Sequence, residues 1–424
     1  MTVLSSIVAL MSGSANDLAN QVPATTVLPK QPGKTIAATS PPRTPGSAAS
    51  QSLGPAQAAC DSIKAKLTTS NDLLRLGDTA QLRSTLTGVK VVPQQTEALI
   101  RHLIIPDPAV ATVLPSPSAS PTPTVSRSAT ATPTPTPSVQ PSRAPTSPPR
   151  PVTPKANWAD LPTEPIVNPL GGPGYAVAPI RFAERGLFEV RLTTTLPDGC
   201  QVTSQPLTIQ VVGSKPIALT FDDGPGRKNT LDVADWLDRY GARGTFFLIC
   251  SRLENKNNSK VARRVAATGH QLGSHRWDHD FSSVLKTAEQ FTQGLERCDE
   301  VFLHTLGFKP TAFRFPWGYG RVEQFDEVRS RGMAIFGWDG LAGDGSDHQP
   351  YSPYIARLIA DNVLAGIKPG AVLLLHDAPN HPNTAAAIPL ILAELADQGY
   401  DCVTVEGLTR LGWGHREDFS EVLR

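Results

Sequence analysis

Two hydrophobic patterns divide the chain, and one gives way to the other near Lys215. Before Lys215, apolar and polar residues alternate in short runs at 62–68, 80–86, 186–193 and 207–212. A period of two is typical of strands with one buried face, and turn residues such as Gly77-Asp78 separate the runs. The pattern predicts a small antiparallel, Ig-like β-sandwich over residues 58–213.

A proline-rich tract at about 106–165 interrupts these runs and includes a Thr-Pro repeat at 132–137. Such a composition buries too little apolar surface to offset chain entropy, so we expect an extended linker. The runs on its two sides are either one split sandwich or parts of two unrelated fragments, and the pattern leaves both open. In a single sandwich, Cys60 and Cys200 would lie in the same unit.

Residues 1–57 are rich in Ser, Thr, Ala and Pro, and we expect them to be disordered. The apolar run 3–11, followed by small residues, resembles a weak signal segment but lacks a basic start. A disordered start or a misplaced initiation codon explains it equally well. No run approaches the roughly 20 apolar residues that a membrane-spanning helix needs.

After Lys215, short apolar strands alternate with longer amphipathic helices. The strands fall at 216–221, 245–249, 271–273, 311–315, 334–338, 371–375 and 402–405, and the helices near 230–240, 259–268, 287–306 and 385–398. This alternation predicts parallel strands closed, or nearly closed, into a barrel. Residues 214–424 are fewer than the about 250 of a full eightfold barrel, so we expect an irregular (β/α) barrel, an α/β fold.

Composition narrows the function classes. The net charge is +1 with 18% charged residues, so no strong field favours nucleic acid or an anionic membrane. The five cysteines lack CxxC spacing, which argues against a zinc ribbon, and one of them stays unpaired in any intramolecular scheme.

Acidic and histidine side chains follow the predicted strands. Asp222 and Asp223 are adjacent at the end of a buried strand, where two carboxylates are costly unless a cation or arginine offsets them. His275 and His279 are four apart, a spacing that can bring both rings onto one metal ion. Taken alone, the two aspartates are explained by a turn and the two histidines by chance. Together they supply one carboxylate and two imidazoles as metal ligands, which leaves coordination positions on the metal open for water.

Two further strands end in Arg314 and His376. Arginine clamps a carboxylate with its planar fork, and histidine is suited to proton transfer near neutral pH. A surface ion pair and a buried histidine are the ordinary alternatives. Four such motifs at successive strand ends of one domain indicate an active site.

These residues, in this order, resemble the NodB-homology domain of the polysaccharide deacetylases, carbohydrate esterase family four. The resemblance covers residues 216–408, and the family motif TFDDGP corresponds to 220–225. It implies a deformed (β/α) barrel, with Asp222 as general base. It also implies that Asp223, His275 and His279 bind one divalent metal ion, most commonly zinc.

The resemblance also implies that Arg314 holds Asp222 and that His376 is the general acid, with Asp344 beside it. Trp317 and Leu374 would then line the substrate groove. Asp339 is an unassigned neighbour that could compete with Asp344 for the place beside His376.

The chain departs from the family pattern at three positions. Leu341 stands for the first Asp of the motif Trp-x-x-Asp-x-x-Asp-Trp, and Gly345 for its final Trp, which removes an aromatic wall that Trp317 or Trp277 could replace. Arg276 stands where the family carries Ser or Thr, which puts the hydrogen bonding of that loop in doubt.

The resemblance implies a hydrolase that removes N-acetyl groups from an extracytoplasmic polysaccharide, peptidoglycan or a chitin-like polymer. The alternatives are an O-acetyl esterase on a xylan-like glycan and a glycan-binding module without activity. A glycosidase is disfavoured because its two carboxylates would flank the scissile bond rather than adjoin in sequence. We expect an exported protein with a polysaccharide partner, no nucleic-acid partner and cell-wall association through the N-terminal region.

Overall fold

The computed structural model describes Cys60, residues 62–104, 157–280, 286–345 and 350–414, with single- or two-residue gaps at 162, 164–165 and 168–169, and the strand Thr26–Val27. The predicted disorder of 1–57, apart from that strand, lies outside the described residues, as does most of the proline-rich tract. No helix in these ranges has the length and apolar character that crossing a bilayer requires.

The first unit consists of two mostly antiparallel sheets. Its strands are β1 (Thr26–Val27), β2 (Lys64–Thr69), β3 (Leu73–Arg75), β4 (Thr79–Thr87), β5 (Gln95–Ile104), β6 (Asn157–Leu161), β7 (Ile166–Val167), β8 (Leu170–Gly172), β9 (Tyr175–Arg181), β10 (Gly186–Thr195), β11 (Gln201–Thr203) and β12 (Leu207–Val212). One sheet has the order β1-β9-β4-β2 with β8 on β9, and the other has the order β3-β12-β10-β5-β6 with β11 on β10 and β7 on β5.

Strands from the two sides of the proline-rich tract pair directly with each other. β4 pairs with β9 and β5 with β10, both antiparallel. Alternate residues of β4 are buried, and Leu82 shares one core with Ile180, Ile100 and Val190 of the other strands. The two sheets are therefore layers around a single core, and the disulfide Cys60–Cys200 links residues 140 positions apart within this unit.

The end predicted for the linker, at about 165, is too late. β6 begins at Asn157 and pairs with β5, with Ile104 opposite Asn157. Prolines at 154, 162 and 165 surround this strand and conceal it in the sequence pattern.

The second unit has eight strands and seven helices among the described residues. They are β13 (Pro216–Gly224), α1 (Lys228–Arg239), β14 (Thr245–Leu248), α2 (Lys256–Ala267), β15 (Gln271–Ser274), α3 (Ala288–Leu306), β16 (Ala312–Phe313), α4 (Val322–Ser330), β17 (Ala334–Ile335), β18 (Gly340–Leu341), α5 (Pro353–Ala365), β19 (Val372–His376), α6 (Pro382–Asp397), β20 (Asp401–Cys402) and α7 (Val405–Arg410). Short 3-10 helices cover Cys250–Glu254 and Pro316–Gly318.

All strand pairs of this sheet are parallel, in the order β17-β16-β15-β14-β13-β19-β18, with β20 also on β13. The end strands β17 and β18 do not pair with each other in the described part, so the sheet curls without closing. This arrangement confirms the predicted irregular (β/α) barrel. β13 lies near its centre and is buried almost throughout. Leu219 and Phe221 pack in one cluster with helices α1 and α6, and Ala218 packs in another with residues of β14 and β16.

Local sequence signals set the helix ends. α3 begins with a capping box in which Thr287 and Gln290 exchange side-chain and backbone hydrogen bonds, and it ends at Gly307 with φ 83°. The disulfide Cys250–Cys298 joins α3 to the 3-10 helix after β14, and Cys402 is a buried free thiol.

The two units meet at the edge of the barrel where its strands begin. Leu73 of β3 shares a buried cluster with Ala218 and Val372, which lie in the first half of β13 and β19. Gln210 of β12 donates through Nε2 to the carbonyl oxygen of Cys402, 2.9 Å away. The opposite edge, where the strands end, is therefore left to the functional residues.

Leu73→Ala tests this junction. Leu73 is 7% exposed, so its truncation leaves a cavity that should lower the free energy of unfolding by about 2–5 kcal/mol, as measured by chemical denaturation. Leu76→Ala is the control, because Leu76 is 48% exposed and its loss should change little. Equal effects of the two substitutions would contradict the junction.

Candidate active site

The chemically active side chains lie at the carboxyl ends of neighbouring strands. Asp222 and Asp223 are among the last three residues of strand β13, and His376 is the last residue of β19. His275 directly follows β15, and Arg314 directly follows β16. Parallel strands present these ends at one edge of the sheet, which is where α/β barrels carry their sites.

Asp223, His275 and His279 form one cluster in which a ligand atom from each lies within 4.8 Å of the others. His275 Nε2 is 3.5 Å and His279 Nε2 is 3.3 Å from Asp223 Oδ1. The structure thus brings together the three residues that were expected to bind a metal ion.

The hydrogen bond at Nδ1 of His275 determines whether its other ring nitrogen, Nε2, has a lone pair for a metal ion. Nδ1 lies 2.9 Å from the carbonyl oxygen of Arg314, which can only accept, so Nδ1 carries the proton. Burial lowers the pKa of His275 to about 3, so the ring is neutral at pH 7 and Nε2 has an unprotonated lone pair.

That lone pair faces Asp223 Oδ1, a buried oxygen without a hydrogen-bond partner among the residues described. Two facing acceptors need a cation between them. One carboxylate and two imidazoles are ligands that a divalent ion such as zinc accepts, so the side chains present fit a metal site.

Asp222 is held by Arg314 in a fully buried ion pair. Arg314 Nη1 donates to Asp222 Oδ1 at 2.9 Å and to Thr220 Oγ1 at 2.7 Å. Its remaining nitrogens donate to the carbonyl oxygens of Phe336 and Gly337. Burial raises the pKa of Asp222 and the guanidinium of Arg314 counteracts that rise, so the carboxylate is a stronger base than one in water yet remains held by a charge.

His376 is paired with Asp344, as the resemblance implied. Nδ1 of His376 is 2.9 Å from Asp344 Oδ1, while the His376 backbone N–H and the Thr384 hydroxyl donate to Asp344 Oδ2. Burial alone would lower the pKa of His376, but the hydrogen bond and charge of Asp344 outweigh it and raise the pKa to about 9. The ring is therefore protonated at pH 7 and can give up a proton.

Asp339 does not compete for this place, contrary to the alternative considered from the sequence. Its Oδ2 accepts from the backbone N–H of Val372 and its Oδ1 lies 2.9 Å from Lys368 Nζ. Val372 begins β19 whereas His376 ends it, so the two aspartates lie at opposite ends of the strand.

The expected groove residues differ in how much surface they offer. Trp317 is 39% exposed and its ring centroid lies 4.2 Å from that of His279, beside the metal cluster. Leu374 is only 7% exposed, which leaves little of it for a substrate. Trp277 is partly buried against the main core, and Arg297 lies 3.7 Å from its ring centroid, so one face of this ring is already covered.

The structure shows the surroundings of two of the positions that depart from the family pattern, Gly345 and Arg276. A Cβ on Gly345 would lie 3.4 Å from His376 Cε1, so this position borders the proton donor. Arg276 is buried, lies 5.0 Å from the Phe291 ring, and uses its backbone carbonyl to accept from the Cys250 N–H. The backbone of Arg276 therefore takes part in the hydrogen bonding of this loop.

Three non-glycine residues around the site have left-handed backbones: Asp223 (φ 69°), Arg276 (φ 65°) and Trp317 (φ 54°). Each such conformation costs about 1–3 kcal/mol and persists only where the surroundings impose it. Arg252, which sequence reasoning missed, contributes by donating to the carbonyl oxygen of Asp223.

Comparison with known proteins agrees with this geometry. The family profile described as polysaccharide deacetylase matches residues 210–336. A peptidoglycan-N-acetylglucosamine deacetylase of Bacillus cereus is 32% identical over 197 residues, which cover 46% of this chain and 89% of that protein. The chain belongs to the polysaccharide deacetylase family, which confirms the resemblance seen in the sequence.

Two other relatives are longer than the matched region. Peptidoglycan-N-acetylglucosamine deacetylase PgdA of Listeria monocytogenes is 35% identical over 213 residues, 50% of this chain and 42% of PgdA. Peptidoglycan-N-acetylmuramic acid deacetylase PdaC of Bacillus subtilis is 32% identical over 195 residues, 46% of this chain and 38% of PdaC. The chain thus spans less than half the length of these two proteins.

Asp344→Asn should lower the pKa of His376 by about 1–3 units, because burial then acts without the opposing charge. NMR titration of the His376 ring measures this. Asp339→Asn is the matched control, since its carboxylate pairs with Lys368 instead. An unchanged pKa in Asp344→Asn, or an equal shift in the control, would contradict the assignment.

The same pair makes stability depend on pH. Folding raises the pKa of His376 from the ordinary value of about 6.5 to about 9. The stability this adds is fully present below the lower value and is lost as the pH rises through the higher one.

Proposed function

We propose that the protein is a metal-dependent hydrolase that removes N-acetyl groups from an extracytoplasmic polysaccharide. The observation that carries the proposal is the meeting of Asp222, the cluster Asp223–His275–His279 and the protonated His376 at one edge of the barrel. A base, a metal site and an acid at one edge of the barrel are the parts that amide hydrolysis by water requires.

Asp223, His275 and His279 would bind the divalent metal ion, for which zinc is the first candidate. When bound, such an ion makes water more acidic and withdraws electrons from the carbonyl of the substrate. The neutral His275 ring is ready for this role, since its Nδ1–H is already committed to the Arg314 carbonyl oxygen.

Asp222 accepts a proton from the water that attacks the acetamide carbon. Arg314 fixes the carboxylate for this step and leaves Oδ2 on the side of His275, 3.7 Å from its Nε2. We assign the developing oxyanion to the Trp317 backbone N–H, in the turn beside His279.

His376 gives its proton to the nitrogen as the carbon–nitrogen bond breaks, because an unprotonated amide nitrogen leaves poorly. Asp344 keeps Nδ1 occupied, so the proton comes from Nε2. The products are acetate and a free amino sugar.

Peptidoglycan is the first candidate substrate, because the relatives at 32–35% identity are named for N-acetylglucosamine or N-acetylmuramic acid in peptidoglycan. That polymer lies outside the cell membrane, so the proposal includes export. Residues 58–213 would be a β-sandwich attached to a catalytic domain at 214–424, and cell-wall association is assigned to the N-terminal region.

Single substitutions distinguish the residues that bind the metal ion from the residue that acts as the base. His275→Ala and Asp223→Ala should lose both bound zinc and acetate release. Asp222→Asn should keep the metal and lower turnover about 10²- to 10⁴-fold. Elemental analysis and acetate release measure these, with Asp326→Asn, 71% exposed at its side chain, as the unaffected control. Full activity in Asp222→Asn would refute its role as base.

A substrate panel tests the reaction itself. Acetate release from peptidoglycan, chitin oligomers and poly-N-acetylglucosamine should exceed release from acetylated xylan. Preference for xylan would instead show an O-acetyl esterase. A protein that binds metal and glycan but releases no acetate from any polymer would be a binding module.

A further inference from the structure

The loop 222–227 carries both the base and a metal ligand in an unfavourable backbone conformation. Asp223 has φ 69° and Arg227 has φ 48°. The carbonyl oxygens of Asp223 and Gly224 are held by Arg252 and by the Ile249 N–H on one side. Contacts from the opposite side are needed to fix the loop.

Asp377, the residue after His376, supplies those contacts together with Thr230. Its backbone N–H donates to the Asp222 carbonyl oxygen at 3.1 Å. The Thr230 hydroxyl donates to Asp377 Oδ2 and accepts from the Gly226 N–H at 2.6 Å. Both side chains are fully buried. A continuous hydrogen-bonded chain thus runs from the Asp377 carboxyl group through Thr230 to the loop.

The packing around Asp377 is close. A Cβ on Gly224 would lie 2.7 Å from both carboxyl oxygens of Asp377, and a Cβ on Gly226 would overlap its carbonyl oxygen. The Asp377 segment therefore occupies the space that side chains on the loop would need. Asn229 adds a hydrogen bond of 2.7 Å to the neighbouring carbonyl oxygen of Ala378.

Placing a carboxyl group here has a cost. Asp377 Oδ1 lacks a hydrogen-bond partner in the described ranges. Burial raises the pKa of Asp377 to about 7, and the nearby charges of Asp223 and Asp222 act in the same direction. An apolar residue would avoid this cost but could not accept the hydrogen bond that the Thr230 hydroxyl donates.

We propose that Asp377 and Thr230 are positioning residues that fix loop 222–227 so that the Asp223 carboxylate faces His275 and His279. The inference rests on the proposed function, because it assigns part of the affinity of that metal site to two residues outside the ligand set Asp223, His275 and His279. Residues that orient metal ligands typically change affinity or activity about 10- to 100-fold when removed.

Titration of the metal-free full chain with Co²⁺, followed by its visible absorption, tests the proposal. Thr230→Val keeps the shape of the side chain but removes the hydroxyl group that links Asp377 to the loop. Asp377→Ala removes the carboxyl group that accepts the hydrogen bond from Thr230. Each should weaken Co²⁺ binding about 10- to 100-fold. Thr230→Ser and Asp377→Asn keep a hydroxyl donor and an acceptor oxygen and should stay within about threefold of the wild type.

The double variant Thr230→Val/Asp377→Ala shows whether the two residues act together. Because both substitutions break the same connection, the double variant should lose no more affinity than the weaker-binding single variant. A thermal midpoint measured for each protein shows whether a loss of affinity is accompanied by unfolding.

The outcomes separate this inference from the proposed function. Wild-type Co²⁺ affinity in Thr230→Val or Asp377→Ala would overturn the inference and leave the proposed function intact. So would a loss in Thr230→Ser equal to that in Thr230→Val. A wild-type protein that binds no Co²⁺ would overturn both.

Discussion

The buried ion pair between Arg314 and Asp222 is the interaction on which the site depends. Two adjacent carboxylates at the end of a buried strand repel each other and lose hydration, so each needs its own compensation. Arg314 compensates Asp222 and at the same time ties β13 to the backbone beyond β17 through the Phe336 and Gly337 carbonyl oxygens. The left-handed backbone at Asp223 turns the second carboxylate toward the histidines instead. One dipeptide can therefore serve two partners of different chemistry.

Features with short-range sequence signals could be predicted. The seven strands predicted after Lys215, the long helix ended by Gly307 and the strand-end motifs depend on local periodicity or on fixed spacing, and they lie close to where the sequence placed them. Strands β5 and β9 and helices α4, α5 and α7 were missed, although Ser352 and Pro353 are ordinary start signals for α5. The Thr230–Asp377 hydrogen bond joins residues 147 positions apart, and the separate partners of Asp339 and Asp344 depend on strand register. Such pairings exist only in three dimensions, so a single sequence could not supply them.

The departures from the family pattern are accommodated in different ways. Arg276 is buried against Phe291, and its neighbour in the chain, His275, keeps its ring orientation through the Arg314 carbonyl oxygen. Gly345 instead leaves out a side chain beside His376, while Asp344, one position earlier, keeps its three hydrogen bonds. The fold thus fixes His376 through Asp344, and the change at position 345 leaves those hydrogen bonds in place.

The β5–β6 pairing has a consequence for the proline-rich tract. Ile104 and Asn157 are partners on adjacent strands, so the roughly fifty residues between them leave and re-enter the sandwich at one point. A segment anchored in this way does not set the separation between sandwich and barrel, since both units are already joined through Leu73 and Gln210. A change in the length of this connection would therefore leave the catalytic edge of the barrel in place relative to the sandwich.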